Sequence, residues 1–268
     1  MTIDRKNTGK KKFSVDEFIK KTKNEKKNYI IAESNKIIIP NDINKRLQKA
    51  YKYKEVINRF IVEYITKLKK TESNTIGIGH NSKDNNNEIL NKINQFQDNY
   101  IDKTLVEKLT QKPTNLFQMS GAKEFYKMQL VLRSLTTKMG NFWEELAILS
   151  NNTISTEKEF GLKITGVDII CLIKKKPTYI QMKTMEGTLT GSQVPRSEEE
   201  LMLHQYKYFA AIFESGSNWT FNSEKITRIK GKEFWSLINL DYDYILEKVK
   251  LMIKNIEDKY IELTDTKT

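Results

Sequence analysis

Cysteine, histidine and proline are scarce in this 268-residue chain, which holds one, two and four of them respectively. The lone Cys171 excludes an internal disulfide framework, and so few Cys and His cannot build a zinc finger. No run approaches the roughly 18 to 20 consecutive apolar residues that span a bilayer. The opening stretch MTIDRKNTGKKKF is basic and polar and lacks the apolar segment of a secretory signal. A soluble, cytoplasmic protein without a membrane partner is the expectation. Ser/His/Asp catalysis lacks a suitable histidine, because His80 sits in a Gly-, Ser- and Asn-rich stretch where an imidazole is solvated. Gly161 and Gly166 have the spacing of a phosphate-loop start. Val167-Asp168 follows instead of Lys-Ser/Thr, so nucleotide binding through that motif fails.

Positive charge is abundant and unevenly placed. The net charge is +12, with 46 Lys and Arg against 34 Asp and Glu. Residues 1–70 hold 20 basic and 8 acidic side chains, which leaves 26 of each sign in the remaining 198 residues. The whole excess therefore lies in the first quarter of the chain. Clustered charge of this kind is the electrostatic footprint of nucleic-acid binding, although a lysine-rich proteome produces a similar composition.

Composition and periodicity divide the chain into three parts: a basic helical region over 1–70, read as a DNA clamp or a dimerisation element, a linker or mobile loop over 71–88, and an α/β domain over 89–268. Ser14 and Glu17 form a capping box, with Phe13 and Phe18 as its hydrophobic staple, for a helix to about Lys27. Asn41 or Asp42 can cap a long helix to about Lys70. The linker assignment rests on TESNTIGIGHNSKDNNNE. Helical spacing returns over 89–112 and over about 121–150, with Gly140 as a break or close-packing point. The period then changes to 2 in EKEFGLKI, GVDIICLI and TYIQMKT, which read as strands. Pro195-Arg196-Ser197 opens a helix through about Glu214. Short strands at Asn218–Phe221 and Ile226–Ile229 follow, and helices around Lys232–Ile238 and Tyr242–Tyr260 close the chain. The fold class is α/β with a mixed sheet.

The residues that carry chemistry are in GVDIICLIKKKPTYIQMKT. Asp168 stands near the start of one strand, and the next strand ends in Gln181-Met182-Lys183. Alternation sends Gln181 and Lys183 to one face, and hairpin pairing brings Asp168 beside them. A carboxylate, an amide oxygen and a lysine suit phosphodiester hydrolysis. Oxygen ligands hold Mg²⁺ with several waters, and the lysine orients or deprotonates the attacking water. The following MEGTLTGSQVPRS is rich in hydroxyls, Gln and Arg, which bond phosphates and base edges. Thr184, Ser192, Gln193, Arg196 and Ser197 are therefore the candidate DNA contacts. Trp143, Trp219 and Trp235 read as core residues.

This arrangement resembles the PD-(D/E)xK nuclease superfamily, which includes most type II restriction endonucleases. The resemblance covers about residues 120–250. It implies a restriction-endonuclease-like core, with Asp168 as the metal-binding carboxylate and Lys183 as the catalytic lysine. Glu144 in TTKMGNFWEELA then matches the helical glutamate, preferred over Glu145 because Gly140 stands four residues ahead. The Met182 carbonyl is expected to face the metal. Gln181 departs from the commoner acidic residue. It resembles the Gln-x-Lys variant of Mrr-like nucleases, shifts the electrostatic burden to Asp168 and Glu144, and leaves a second metal site in doubt. The tail GKEFWSLINLDYDYILEKV is similar to the segment that closes such cores. A further resemblance, through the Glu144 helix and the Gln-x-Lys strand, is to enzymes cutting GGNCC-like sites.

The resemblance implies a type II site-specific deoxyribonuclease of a restriction-modification system. It would use Mg²⁺, act on double-stranded DNA, work as a homodimer matched to palindromic sites, and be paired with a cognate DNA methyltransferase. The alternatives are an Mrr-like modification-dependent or junction-resolving nuclease on the same core, a non-catalytic DNA-binding protein, or a basic RNA-binding protein.

Overall fold

Two consecutive lysines in left-handed backbone conformation turn the chain at the centre of the fold. The computed structural model describes residues 13–76, 82–111, 116, 120–189, 191–216 and 218–265. In it, β2 (Ile169–Ile173) and β3 (Lys176–Lys183) form an antiparallel hairpin closed by the pair Ile173↔Lys176. Lys174 and Lys175 lie at φ 49° and 62°, the sign that a two-residue type I′ turn demands at both central positions. Asn-Gly is the favoured pair there, because a Cβ in the left-handed region meets the following carbonyl. Lys174→Asn with Lys175→Gly is therefore expected to stabilise the protein by about 1–2 kcal/mol. Urea unfolding measures this, and an unchanged midpoint would remove the claim of turn strain.

The hairpin is the middle of a five-stranded mixed sheet of order β1-β2-β3-β4-β5. β1 (Thr153–Ile154) pairs antiparallel with β2, while β4 (Lys207–Ala211) and β5 (Thr227–Lys230) add parallel strands beside β3. Helices cover both faces, so Ile169, Ile170 and Cys171 are apolar on both parities, as a strand covered on two sides requires.

On one face Ile169, Cys171, Ile180, Met182, Ala210 and Ile229 share a core with four helices: α5 (Ser82–Asn99), α7 (Lys123–Ala147), α10 (Gly231–Leu237) and α11 (Tyr242–Asp265). A π-helical stretch, Tyr100–Leu105, links α5 to the short α6 (Val106–Thr110) beneath them. The opposite face, with Ile170 and Tyr179, is covered by five: α1 (Val15–Ile19), α2 (Lys23–Ser34), α3 (Gln48–Asn58), α4 (Ile61–Ile76) and α8 (Thr156–Phe160). A smaller cluster around Phe209 seats α9 (Gln193–Met202) through Leu201.

Several sequence expectations change. Ser14 does cap α1, and the Phe13 and Phe18 rings lie 5.4 Å apart, but the helix stops at Ile19. Thr22 and Glu25 form a second capping box that restarts the chain as α2. The long helix to Lys70 is a short 3₁₀ turn capped by Asn44, then α3 and α4, parted near Arg59. Phe60, in that break, packs against Phe18 and Phe160. α4 runs on to Ile76 and α5 starts at Ser82, so the expected linker is helical over 71–76 and 82–88, which leaves residues 77–81. Those residues, His80 among them, lie outside the described ones, as do 1–12.

EKEF is helical instead of extended, because Ser155 caps it and Gly161, at φ 65°, ends it. The helix expected to reach Glu214 ends at Met202, and KYFAA becomes β4. Asn218–Phe221 forms no strand. Gly140 neither breaks α7 nor packs closely, since a Cβ there would meet nothing within 4 Å. Among the described residues no helix is long and apolar enough to cross a membrane.

His204, just after α9, is 1% exposed and stacks on Tyr179 at 3.9 Å. Neither ring nitrogen has a hydrogen-bond partner. Burial, then the charges of Lys54 and Lys207, push its pKa from 6.5 down to about 3. The folded state thus holds the imidazole neutral, while the unfolded chain takes up the proton as pH falls through its ordinary value. Stability is expected to decline between about pH 6.5 and 3, by up to about 1.4 kcal/mol per unit from this group. His204→Phe keeps the stack, so its unfolding free energy should depend less on pH across that window. Identical profiles for the two proteins would refute this.

Candidate active site

The β2–β3 hairpin and the end of α7 bring two carboxylates and a lysine together at the open end of the hairpin, the start of β2 and the end of β3. Asp168 precedes β2, and its Oδ2 accepts a 2.6 Å hydrogen bond from the Met182 N–H, which ties the two strands across the site. N–H and C=O of one strand residue point to the same side, so the Met182 carbonyl is directed toward Asp168 as well. Burial pushes the Asp168 carboxyl up, against the Met182 hydrogen bond and the charges of Lys183 and Lys163.

Glu144, near the C-terminal end of α7, accepts from Ser155 Oγ at 3.3 Å. Its pKa rises to about 7, through burial first and the neighbouring Asp168 charge second, with Lys163 and Ser155 opposing. Two half-buried carboxylates close enough to repel each other are the arrangement that a cation relieves. Glu145 instead pairs with Lys158 at 2.7 Å. The geometry therefore gathers Glu144, and not Glu145, with Asp168.

Gln181 and Lys183 lie on the same face of β3 as Tyr179, by strand alternation. Gln181 is 8% exposed, and its Oε1 accepts no hydrogen bond in the protein. Such a buried orphan acceptor costs about 1–3 kcal/mol, so its oxygen is suited to a donor or a cation from outside the chain. Lys183 has no ion pair among the described residues, and its charge is felt at Asp168. Among the described residues no group of three or more His, Cys, Asp and Glu side chains could hold a metal ion. A donor set of two carboxylates, an amide oxygen and a backbone carbonyl suits Mg²⁺, which takes one or two carboxylates and keeps several waters.

The candidate DNA contacts separate into three kinds. Ser192, Gln193 and Arg196 are exposed at the start of α9, where Arg196 Nε donates to Glu200 at 2.9 Å. Thr184 is engaged internally, accepting from Trp143 Nε1 at 3.1 Å. Ser197 is a correction: α9 starts at Gln193, so Ser197 lies inside the helix, buried, and neither caps it nor faces solvent. Trp143 and Trp235 are buried as expected, and Trp235 Nε1 donates to the Ile212 carbonyl.

Three neighbours of the site escaped the sequence reading. Glu200 on α9 is 4% exposed, is held by Arg46 and Arg196, and adds its charge to the field at Asp168. A Cβ at Gly166, whose φ is 78°, would overlap the Glu200 side chain, so this glycine permits the close approach. Glu186, just past Lys183, is buried and accepts from Ser215 N–H and Oγ and from Lys230. Burial disfavours its charge, but a hydrogen bond from its own backbone N–H, with those from Ser215 and Lys230, prevails and holds it down to about 2. It anchors the loop after the Lys183 strand. Lys163 supplies positive charge to both Glu144 and Asp168. Only Gly166, next to the motif, hinted at any of these.

Fold and site together define an α/β protein with a hairpin-borne Asp/Gln-x-Lys cluster and a helical glutamate. No family model, curated protein or solved structure matches the chain.

Proposed function

We propose that this protein is a Mg²⁺-dependent DNA endonuclease of the PD-(D/E)xK type, acting in restriction. The observation that carries the reading is the convergence of Glu144 and Asp168 beside Lys183 and the unpaired Gln181 Oε1. Glu144 and Asp168 would hold the metal, with Gln181 and the Met182 carbonyl as neutral oxygens. When bound, Mg²⁺ would polarise the scissile phosphate and acidify a coordinated water. Lys183 orients or deprotonates the attacking water and faces the negative charge of the transition state.

Lys45, Lys49 and Lys52 line a groove of about 530 Å³ together with Ser34 at the end of α2 and its C-cap Asn35, and suit the phosphates of double-stranded DNA. Homodimerisation and a partner methyltransferase belong to the same proposal. The competing reading, a DNA-binding protein without catalysis, draws on the neutrality of Gln181.

Incubating supercoiled plasmid with the purified protein, with and without Mg²⁺, separates the two. Metal-dependent nicking or linearisation is expected, and intact plasmid alongside retained DNA binding would leave the non-catalytic reading. Glu144→Gln is expected to slow cleavage by at least about 100-fold, in the range of a removed acid–base or metal-holding group. Glu145→Gln should change it little, since that carboxylate serves only an exposed ion pair with Lys158. The reverse order would reassign the glutamate.

A further inference from the structure

A second cationic site lies at the far end of the hairpin. The strained turn presents Lys174 and Lys176 to a groove of about 470 Å³ that Lys207 and Lys225 also line, with Tyr206 and Tyr208 supplying rings. No acidic residue lines it. Lys225 comes no nearer to a carboxylate than 3.9 Å, at Glu198. Lys207 is half-buried, donates to the His204 carbonyl at 3.1 Å with no ion pair among the described residues, and is held by burial below its ordinary pKa. Lys176 lies over the Tyr206 ring at 4.8 Å. β4 begins pairing at Tyr179, so β3 is uncovered at this end, and Pro177 has no N–H to offer there. Like charges gathered around a concavity repel one another unless an anion sits among them. The turn adds to this, because lysines stand at both positions where Asn-Gly would relieve strain. Seven residues of strand separate Lys176 from Lys183, about 23 Å, so the groove is remote from the carboxylate cluster.

We propose that the groove between the Lys174–Lys176 turn and the start of β4 is a phosphate-binding site. It takes either the sugar–phosphate backbone of a nucleic acid or the phosphates of a free nucleotide. The lysines meet the phosphates and the tyrosine rings offer a stacking surface. The site does not depend on the nuclease reading, because its occupancy is measured without metal and without cleavage.

The test uses full-length protein, metal chelated, with fluorescent duplex DNA titrated at several salt concentrations and with ATP and inorganic pyrophosphate in parallel. Lys174→Gln/Lys176→Gln/Lys225→Gln removes three exposed charges. It is compared with Lys123→Gln/Lys250→Gln/Lys254→Gln, which removes three exposed charges elsewhere. If nucleic acid is the ligand, the groove variant should flatten the slope of log K against log salt by about 2 to 3, at about 0.9 for each phosphate no longer neutralised, and the control should not. If the ligand is a nucleotide, the groove variant loses ATP and pyrophosphate binding while its DNA slope is unchanged. Lys174→Asn/Lys175→Gly should unfold at a higher urea concentration than wild type and still bind the phosphate ligand more weakly, which separates binding from folding. Equal behaviour of groove and control variants toward all three ligands overturns the proposal, whether or not the wild-type protein cuts DNA.

Discussion

Replacing Lys183 by alanine is expected to slow Mg²⁺-dependent cleavage of plasmid DNA by about 100- to 10,000-fold, the range for a side chain that moves or orients a proton. Metal-free binding of duplex DNA should remain close to wild type. Lys183 has no ion pair among the described residues, so its removal strands no buried partner and the hairpin should keep its Met182–Asp168 hydrogen bond. Its positive charge does help to keep Asp168 ionised against burial. The alanine variant should therefore need a higher pH for whatever activity is left, since Asp168 protonates more readily. Lys183→Arg keeps that charge but cannot give up a proton, so it should restore the pH dependence without restoring the rate. Cleavage by Lys183→Ala at the wild-type rate would end the assignment of this lysine.

Local signals carried the parts of the fold that are decided locally. The short apolar run in GVDIICLI and the alternation in TYIQMKT give β2 and β3, and the 3.6-residue spacing before Ser150 gives α7. The hairpin and its helix are enough to place Asp168, Lys183 and Glu144, which is why the candidate site was legible. β4 was not: KYFAA follows a helix without Gly or Pro, and only parallel pairing with Tyr179–Lys183 makes it a strand. The break at Thr22 follows from a local capping box with Glu25 that the reading passed over, and the break at Phe60 from a buried ring whose partners, Phe18 and Phe160, lie far along the chain. Glu200 reaches the site because Arg46, 154 residues away, receives it, and no spacing within the motif encodes that pairing. The preference for Glu144 over Glu145 agrees with the geometry, but Gly140, the residue that motivated it, meets nothing. What separates the two glutamates is Lys158, which takes Glu145 away to an ion pair.

Deleting residues 1–70 is expected to unfold the protein, although the charge distribution alone suggests a detachable DNA clamp. Of the eighteen buried residues in the core on that face of the sheet, eleven lie between Val15 and Ile65. Their loss bares the other seven, among them Phe160, Ile170 and Tyr179. At about 1.5–3 kcal/mol for each large apolar side chain returned to water, this amounts to about 10–20 kcal/mol. A domain has only about 5–15 kcal/mol of stability to lose. The deletion also removes Lys26, which donates to Tyr64 at 2.7 Å and to Glu159 at 2.6 Å, and Arg46, which holds Glu199 and Glu200. The buried Glu200 would keep only the more exposed Arg196, and that partial loss of partners adds to the penalty. The basic groove must therefore be tested within the intact chain. Lys45→Gln/Lys49→Gln/Lys52→Gln should leave thermal unfolding nearly unchanged while flattening the salt dependence of duplex DNA binding by about 0.9 for each phosphate no longer neutralised. Residues 71–268 alone should be insoluble, or lack a cooperative unfolding transition by circular dichroism. A soluble truncation product with a sharp transition would show that the N-terminal helices are an appendage and that the sheet covers that face in some other way.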